Sequence, residues 1–212
     1  MTEPLSLRER TRLAVREEMI RCGMDLFARE GYDETTVAEV ARASGMSERS
    51  FFRYFASKAD LALASQEQIG KALAARLAER PIAEHPWVSI RRAFDPIVTT
   101  IDENPEGRSR RLIEMLHSTP ELGHAQLGAR YEWARLLTPH VASHLPPLEE
   151  SGLPDPRAAA IAVSAVMSYQ TAQDAWLESD GKASMAVLLD QAMDAVADIR
   201  KMKTKRALAK QA

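Results

Sequence analysis

The chain has 212 residues, 28 lysines and arginines against 30 aspartates and glutamates, and a formal net charge of −2. That length suits one or two domains with a real buried core, and the near-neutral balance excludes a global basic field for nucleic acid, so any such contact must be local. No apolar run approaches the roughly 20 residues of a membrane span, and the polar, charged opening residues exclude a secretory signal, so the expected location is the cytoplasm.

A first helix carries Val15, Met19, Cys22 and Leu26 on one stripe. The lone thiol is read as a core side chain, with a redox switch as the alternative. Arg8, Arg10, Arg12 and Arg16 precede and open this helix, interleaved with Glu9, Glu17 and Glu18. They suit either an arm reaching phosphates or an adjacent minor groove, or an ordinary solvated helix start.

The next helix begins at Thr36, whose partner Glu39 three residues on completes a capping box. Val37, Val40 and Ala41 share one face, and Ser44-Gly45 ends the helix with a residue that tolerates the left-handed conformation. Ser47 is an N-cap for a further helix and Ser57 for the one after it. At about 100° per residue, Phe51 and Phe55 share one side with Tyr54 at its edge, while Arg49 and Arg53 point away, flanked by Ser50 and Phe52. Two capped helices about a Gly45-Met46 turn form a helix-turn-helix, which sets its second helix in the major groove of DNA. Arginine reads guanine there, hydroxyls and lysine meet phosphate, and the residues expected to face DNA are Thr36, Arg42, Ser47, Arg49, Ser50, Phe52, Arg53, Tyr54 and Lys58.

Beyond residue 60 no strand alternation and no glycine-rich phosphate loop is visible. Helices are expected over 58–79, 86–102, 105–117, 120–145, 154–178 and 183–202, with Pro96 and Pro139 kinking or splitting two of them. The fold class is all-α: a three-helix helix-turn-helix domain over 1–60, a helical bundle for ligand binding and dimerisation over 61–202, and a basic, flexible tail over 203–212. Small side chains crowd residues 158–172, and with Met185, Leu188, Leu189, Ala192 and Val196 they suit an intersubunit four-helix packing. The alternative is that these faces close the monomer core.

Phe94, Met115, Tyr131, Trp133, Tyr169, Gln173 and Trp176 are the candidate effector contacts, with core packing as the alternative for each. Arg108, Arg110 and Arg111 open a helix, a combination that favours an anion; a solvated basic turn is the other reading. His140 and His144 have a spacing that can hold a metal, but Pro139 disturbs that helix and no cysteine is near, so no metal and no cofactor is expected.

Gly31-Tyr32, Thr35-Thr36-Val37, Val40-Ala41, Ala43-Ser44-Gly45-Met46-Ser47, Phe52, Tyr54-Phe55 and Ser57-Lys58 resemble the DNA-binding domain of TetR-type transcriptional regulators. Phe52 stands where that family often has tyrosine, and Ser50 where threonine is usual. The resemblance implies a homodimer built on the last two helices, a palindromic operator on double-stranded DNA, a small-molecule effector, and repression. Ser47 to Phe55 is similar to a Ser-x-Arg-Thr-Phe-Phe-Arg-Tyr-Phe version of the motif frequent among actinobacterial regulators, and Arg111-Leu112-Ile113, Pro120-Glu121-Leu122, Asp155-Pro156-Arg157 and Trp176-Leu177 are similar to the C-terminal half of the mycofactocin-type subgroup. That subgroup is associated with acyl-CoA-like effectors, which would set the CoA phosphates against the 108–111 arginines. No nucleophile is paired with a base and the carboxylates are scattered, so an enzyme is not expected. The competing reading is a ligand-binding or scaffold protein of the same fold without operator binding.

Overall fold

The computed structural model describes residues 6–147 and 154–208, with His124 and residues 198–208 as backbone alone. The basic tail expected over 203–212 therefore lies outside the described side chains. Ten helices follow in chain order: α1 (Leu7–Glu30), α2 (Val37–Ala43), α3 (Glu48–Phe51), α4 (Lys58–Ala78), α5 (Pro86–Ala93), α6 (Asp95–Glu103), α7 (Arg108–Ser118), α8 (Pro120–Ser143), α9 (Arg157–Glu178) and α10 (Met185–Leu208). No strand occurs among the described residues. Pro96 sits in the first turn of α6 and separates it from α5, whereas α8 runs unbroken past Pro139.

The chain forms two compact units, Met1–Gln68 with Arg108–Ala129, and Ile69–Gly107 with Arg130–Ala212. The unit that holds the helix-turn-helix is thus larger than residues 1–60. Its core joins Met19, Ile20, Phe27, Tyr32, Val40, Phe51, Phe55 and Leu61 to Met115, Leu116 and Leu122 from the distant segment. Each large side chain so buried contributes about 1.5–3 kcal/mol. Gly23 allows α1 and α4 to meet closely: a Cβ there would lie 2.7 Å from the Leu61 side chain.

α1 starts at Ser6, whose hydroxyl accepts from the Glu9 N–H while the Glu9 carboxylate accepts from the Ser6 N–H. Arg8, Arg10 and Arg12 consequently stand on the exposed first turns of a helix, the solvated-start alternative. Cys22 is buried, its thiol directed at the Glu18 carboxylate and the Ala43 carbonyl. Burial first, then Glu18, pushes its pKa up, away from the thiolate a redox switch requires.

In the second unit α9 packs on α10 and α5, and α10 on α6. Asp102 of α6 caps the start of α10, accepting from the Met185 N–H at 2.6 Å, the Ala186 N–H at 3.1 Å and the Ser184 hydroxyl at 2.8 Å. A carboxylate suits that end because free N–H groups and the helix dipole both favour negative charge. Ala158, Ala162, Ala165, Met185 and Leu189 are buried within this unit, whereas Val163, Met167, Val187 and Val196 remain exposed. The small-residue face is therefore divided: part of it closes the monomer core and part faces out.

Gly70 is buried on α4, where a Cβ would stand 2.5 Å from Cδ1 of the Trp133 indole. Gly70→Ala would gain about 1 kcal/mol of helix propensity on an open surface, but overpacking against a rigid buried ring costs about 1–3 kcal/mol. We expect a net loss of about 1–2 kcal/mol in urea unfolding; equal or higher stability would mean that Trp133 has room to retreat.

Candidate functional site

The reader is assembled from short-range bonds. The Thr36 hydroxyl accepts from the Glu39 N–H at 3.2 Å and donates to the Glu39 carboxylate, which also accepts from the Thr36 N–H at 2.8 Å. These bonds hold the Glu39 pKa below the usual carboxylate range, the backbone bond most. Gly45 adopts φ +69° in the turn, a conformation that carries no penalty for glycine alone. Ser47 then caps α3, accepting from the Ser50 N–H at 3.2 Å, with the two serine hydroxyls 3.0 Å apart.

α3 is four residues long and tightens at its end, where the Arg53 N–H donates to the Ser50 carbonyl and the Tyr54 N–H to that of Phe51. So short a helix has little stability of its own. Its hold is aromatic: Phe51 and Phe55 are 0% and 2% exposed, with ring centroids 5.5 Å apart. Phe52 stacks its edge on Phe51 yet stays 53% exposed.

On the outer face Arg42, Arg49 and Arg53 are exposed, and among the described residues none of them pairs with a carboxylate. Arginines elsewhere are engaged: Arg21 with Glu18 and Asp25, Arg29 with Glu30, Arg108 with Asp25, Arg110 with Glu114. Arg53 lies over the Tyr54 ring, 5.7 Å from its centroid. Lys58 has a different occupation from its sequence neighbours. Its ammonium donates to the carbonyls of Tyr32 at 2.6 Å, Asp33 at 3.3 Å and Thr35 at 3.1 Å, and sits 4.4 Å from the Tyr32 ring centroid. All three donors are spent inside the domain, so Lys58 ties the α1–α2 connection to α4 instead of facing outward.

The candidate effector contacts divide between the units. Phe94, Trp133, Tyr169, Gln173 and Trp176 are buried in the second unit. Phe94 stacks on Tyr169 with centroids 4.9 Å apart, Trp133 lies 6.1 Å from Tyr169, and Gln173 donates to the Tyr169 hydroxyl at 3.1 Å. Trp176 follows on the same face of α9, three residues beyond Gln173. Burial raises the Tyr169 pKa, against the lowering pull of a neighbouring cation. Arg108, Arg110, Arg111 and Met115 belong to the first unit, Met115 within its core, and Tyr131 is 67% exposed.

That neighbouring cation is Arg130, which sequence reasoning missed. It is 2% exposed and 4.0 Å from the Trp133 ring centroid, donating from Nη2 to Gln173 at 2.7 Å and from Nε to Gln170 at 3.1 Å. Desolvation brings its pKa down to about 10, so it keeps its charge at neutral pH. The signal was present in the spacing. Leu122, Gln126, Arg130, Trp133, Leu137 and Val141 form the buried face of α8, and an arginine at an i, i+4, i+7 position among such residues is buried by its register.

Among the described residues no cluster of three or more His, Cys, Asp or Glu side chains is arranged to hold a metal, and no helix is long and apolar enough to cross a membrane. The His144 ring meets the His140 carbonyl, Nδ1 to O 2.9 Å.

Residues 20–65 match the family of bacterial regulatory proteins called tetR, and residues 84–201 match the MftR C-terminal domain. The HTH-type transcriptional regulator TcmR of Streptomyces glaucescens is 38% identical over 92 residues, 43% of this chain and 41% of its own. The mycofactocin biosynthesis transcriptional regulator MftR of Mycobacterium tuberculosis is 27% identical over 126 residues, 56% of this chain and 60% of its own. The chain thus spans less than two thirds of either relative's length. The TetR family repressor FadR of Thermus thermophilus, solved with lauroyl-CoA, superposes with a TM-score of 0.55 at 20% identity, over 86% of this chain and 93% of its own. At that identity the likeness concerns the fold alone. The two matched segments together cover the reader and most of the remaining helices, and the chain belongs to the tetR family of bacterial regulatory proteins, with a C-terminal domain of the MftR type.

Proposed function

We propose that the protein is a repressor that binds a near-palindromic operator as a homodimer in the cytoplasm and is released by a small hydrophobic effector. The observation that carries this reading is the outer face of α3 and the turn that follows it: exposed Arg49 on the helix and exposed Arg53 in the turn, neither with a carboxylate partner, on a segment pinned by Phe51 and Phe55. An unpaired arginine presents its planar fork to guanine O6 and N7 in the major groove. Arg42, Ser47, Ser50 and Tyr54 surround it with donors for phosphate, whereas the N–H and hydroxyl of Thr36 are engaged by Glu39. Phe52 offers an apolar edge to a thymine methyl or a sugar.

Val163, Met167, Val187 and Val196 on α9 and α10 are the apolar surface available to a second copy. Two readers at fixed separation need half-sites in successive major grooves, and a promoter so covered is closed to transcription. An effector that changes the separation weakens both contacts together. A lauroyl-CoA is bound by the FadR of like fold, which makes an acyl-CoA the first effector to try.

Labelled DNA from directly upstream of the protein's own gene, titrated by fluorescence anisotropy, tests the operator. We expect selective binding that falls steeply as salt rises and release by lauroyl-CoA. Binding no better than to random DNA would remove the operator and leave a ligand-binding protein of the same fold. In the same assay Arg49→Ala should cost about 1–3 kcal/mol and relax preference at one base pair. A uniform loss across all sequences would reduce Arg49 to a phosphate contact.

A further inference from the structure

Arg130 is the one charged side chain buried among the described residues. Both of its hydrogen-bond partners are neutral amides, Gln170 and Gln173, and its Nη1 has none. The exposed Asp174 carboxylate accepts from Gln170 and acts on Arg130 only as a more distant charge, weaker than the desolvation of the guanidinium. Trp176 Nε1 is a second buried donor without an acceptor, and it shares the α9 face with Gln173 and Tyr169. This interior therefore has donors in surplus and one full positive charge, held on the face of Trp133. A chain that only needed to fill the space would gain by an apolar residue there, because replacing a buried ion with a packed hydrophobe is commonly neutral or stabilising.

What completes the set is an acceptor bearing one negative charge on an apolar body. A carboxylate matches the planar guanidinium fork. A phosphate would bring a further charge, and among the described residues Arg130 is the only buried cation to meet it. We infer that Arg130 is the recognition residue for the carboxylate of a hydrophobic acid, seated against Phe94, Trp133, Tyr169 and Trp176, with Gln170 and Gln173 giving way as acceptors. The inference rests on the effector-responsive reading and names the chemistry of the effector. It also separates a free acid from its thioester, which lacks the charge.

Calorimetry on the full chain tests it with matched pairs: decanoate against decanamide, and 2-naphthoate against 2-naphthamide. At least one acid should bind about tenfold or more tightly than its amide, and the pair that shows this tells an extended acid from an aromatic one. Arg130→Met should abolish the preference. Arg130→Lys, which keeps the charge but not the fork, should weaken the acid several-fold and leave the amide unchanged. Acids bound no better than amides by the wild-type chain would overturn the inference without reference to any variant, as would a preference surviving in a folded Arg130→Met. Operator release run in parallel keeps the two readings apart. If neither acid binds while lauroyl-CoA releases DNA from wild type and Arg130→Met alike, the regulator stands and this site falls. If the acid preference holds while no DNA is bound selectively, the site stands and the operator falls.

Discussion

Recognition by this chain depends on one constraint: a helix of four residues must present its outer face in a fixed direction. Alone, such a helix would not form, since nucleation costs more than one turn of hydrogen bonds returns. Ser47 supplies the start, the Gly45 turn supplies the angle, and Phe51 and Phe55 supply the free energy by entering the core. The same core includes Met115, Leu116 and Leu122, more than fifty residues away, and α7 packs on α1. The reader is therefore not a detachable sixty-residue module. Its geometry is maintained by side chains from α7 and the first turn of α8.

That dependence gives α8 a particular position in the chain. Its first residues, up to Ala129, belong to the unit that supports the reader, and from Arg130 onward it belongs to the other unit. α4 is shared in the same manner, Lys58 holding the α1–α2 connection at one end and Gly70 lying under Trp133 further along.

The sequence disclosed elements whose causes are local. Thr36 and Glu39, Ser47, Gly45 and the Phe51–Phe55 pair each act within a few residues, so their pattern can be read from spacing, and the helix-turn-helix followed from them. The break at Pro96 was legible for the same reason. Side-chain partners set by tertiary packing were not. Lys58 reads as a surface cation until the carbonyls of Tyr32, Asp33 and Thr35 are brought to it. Arg108 and Arg110 read as an anion site until Asp25 and Glu114 are seen beside them. Arg130 lies inward by its register on α8, but its amide partners Gln170 and Gln173 come from α9 and are set by packing.

A buried cation whose hydrogen-bond partners are neutral amides carries a desolvation cost that a distant carboxylate only partly offsets, and that cost bears on switching. An effector shifts an equilibrium only by the difference in its affinity for the two states. A guanidinium whose charge is met in one arrangement and not in the other supplies such a difference in a way that apolar packing does not, because aromatic walls accept many occupants with similar energy. The same coupling acts in reverse: if an occupant at Arg130 weakens operator binding by some factor, operator binding weakens the occupant by that factor. DNA-bound and free protein would then sense different effector concentrations, and the threshold for release would be set jointly by Arg130 and by Arg49 and Arg53.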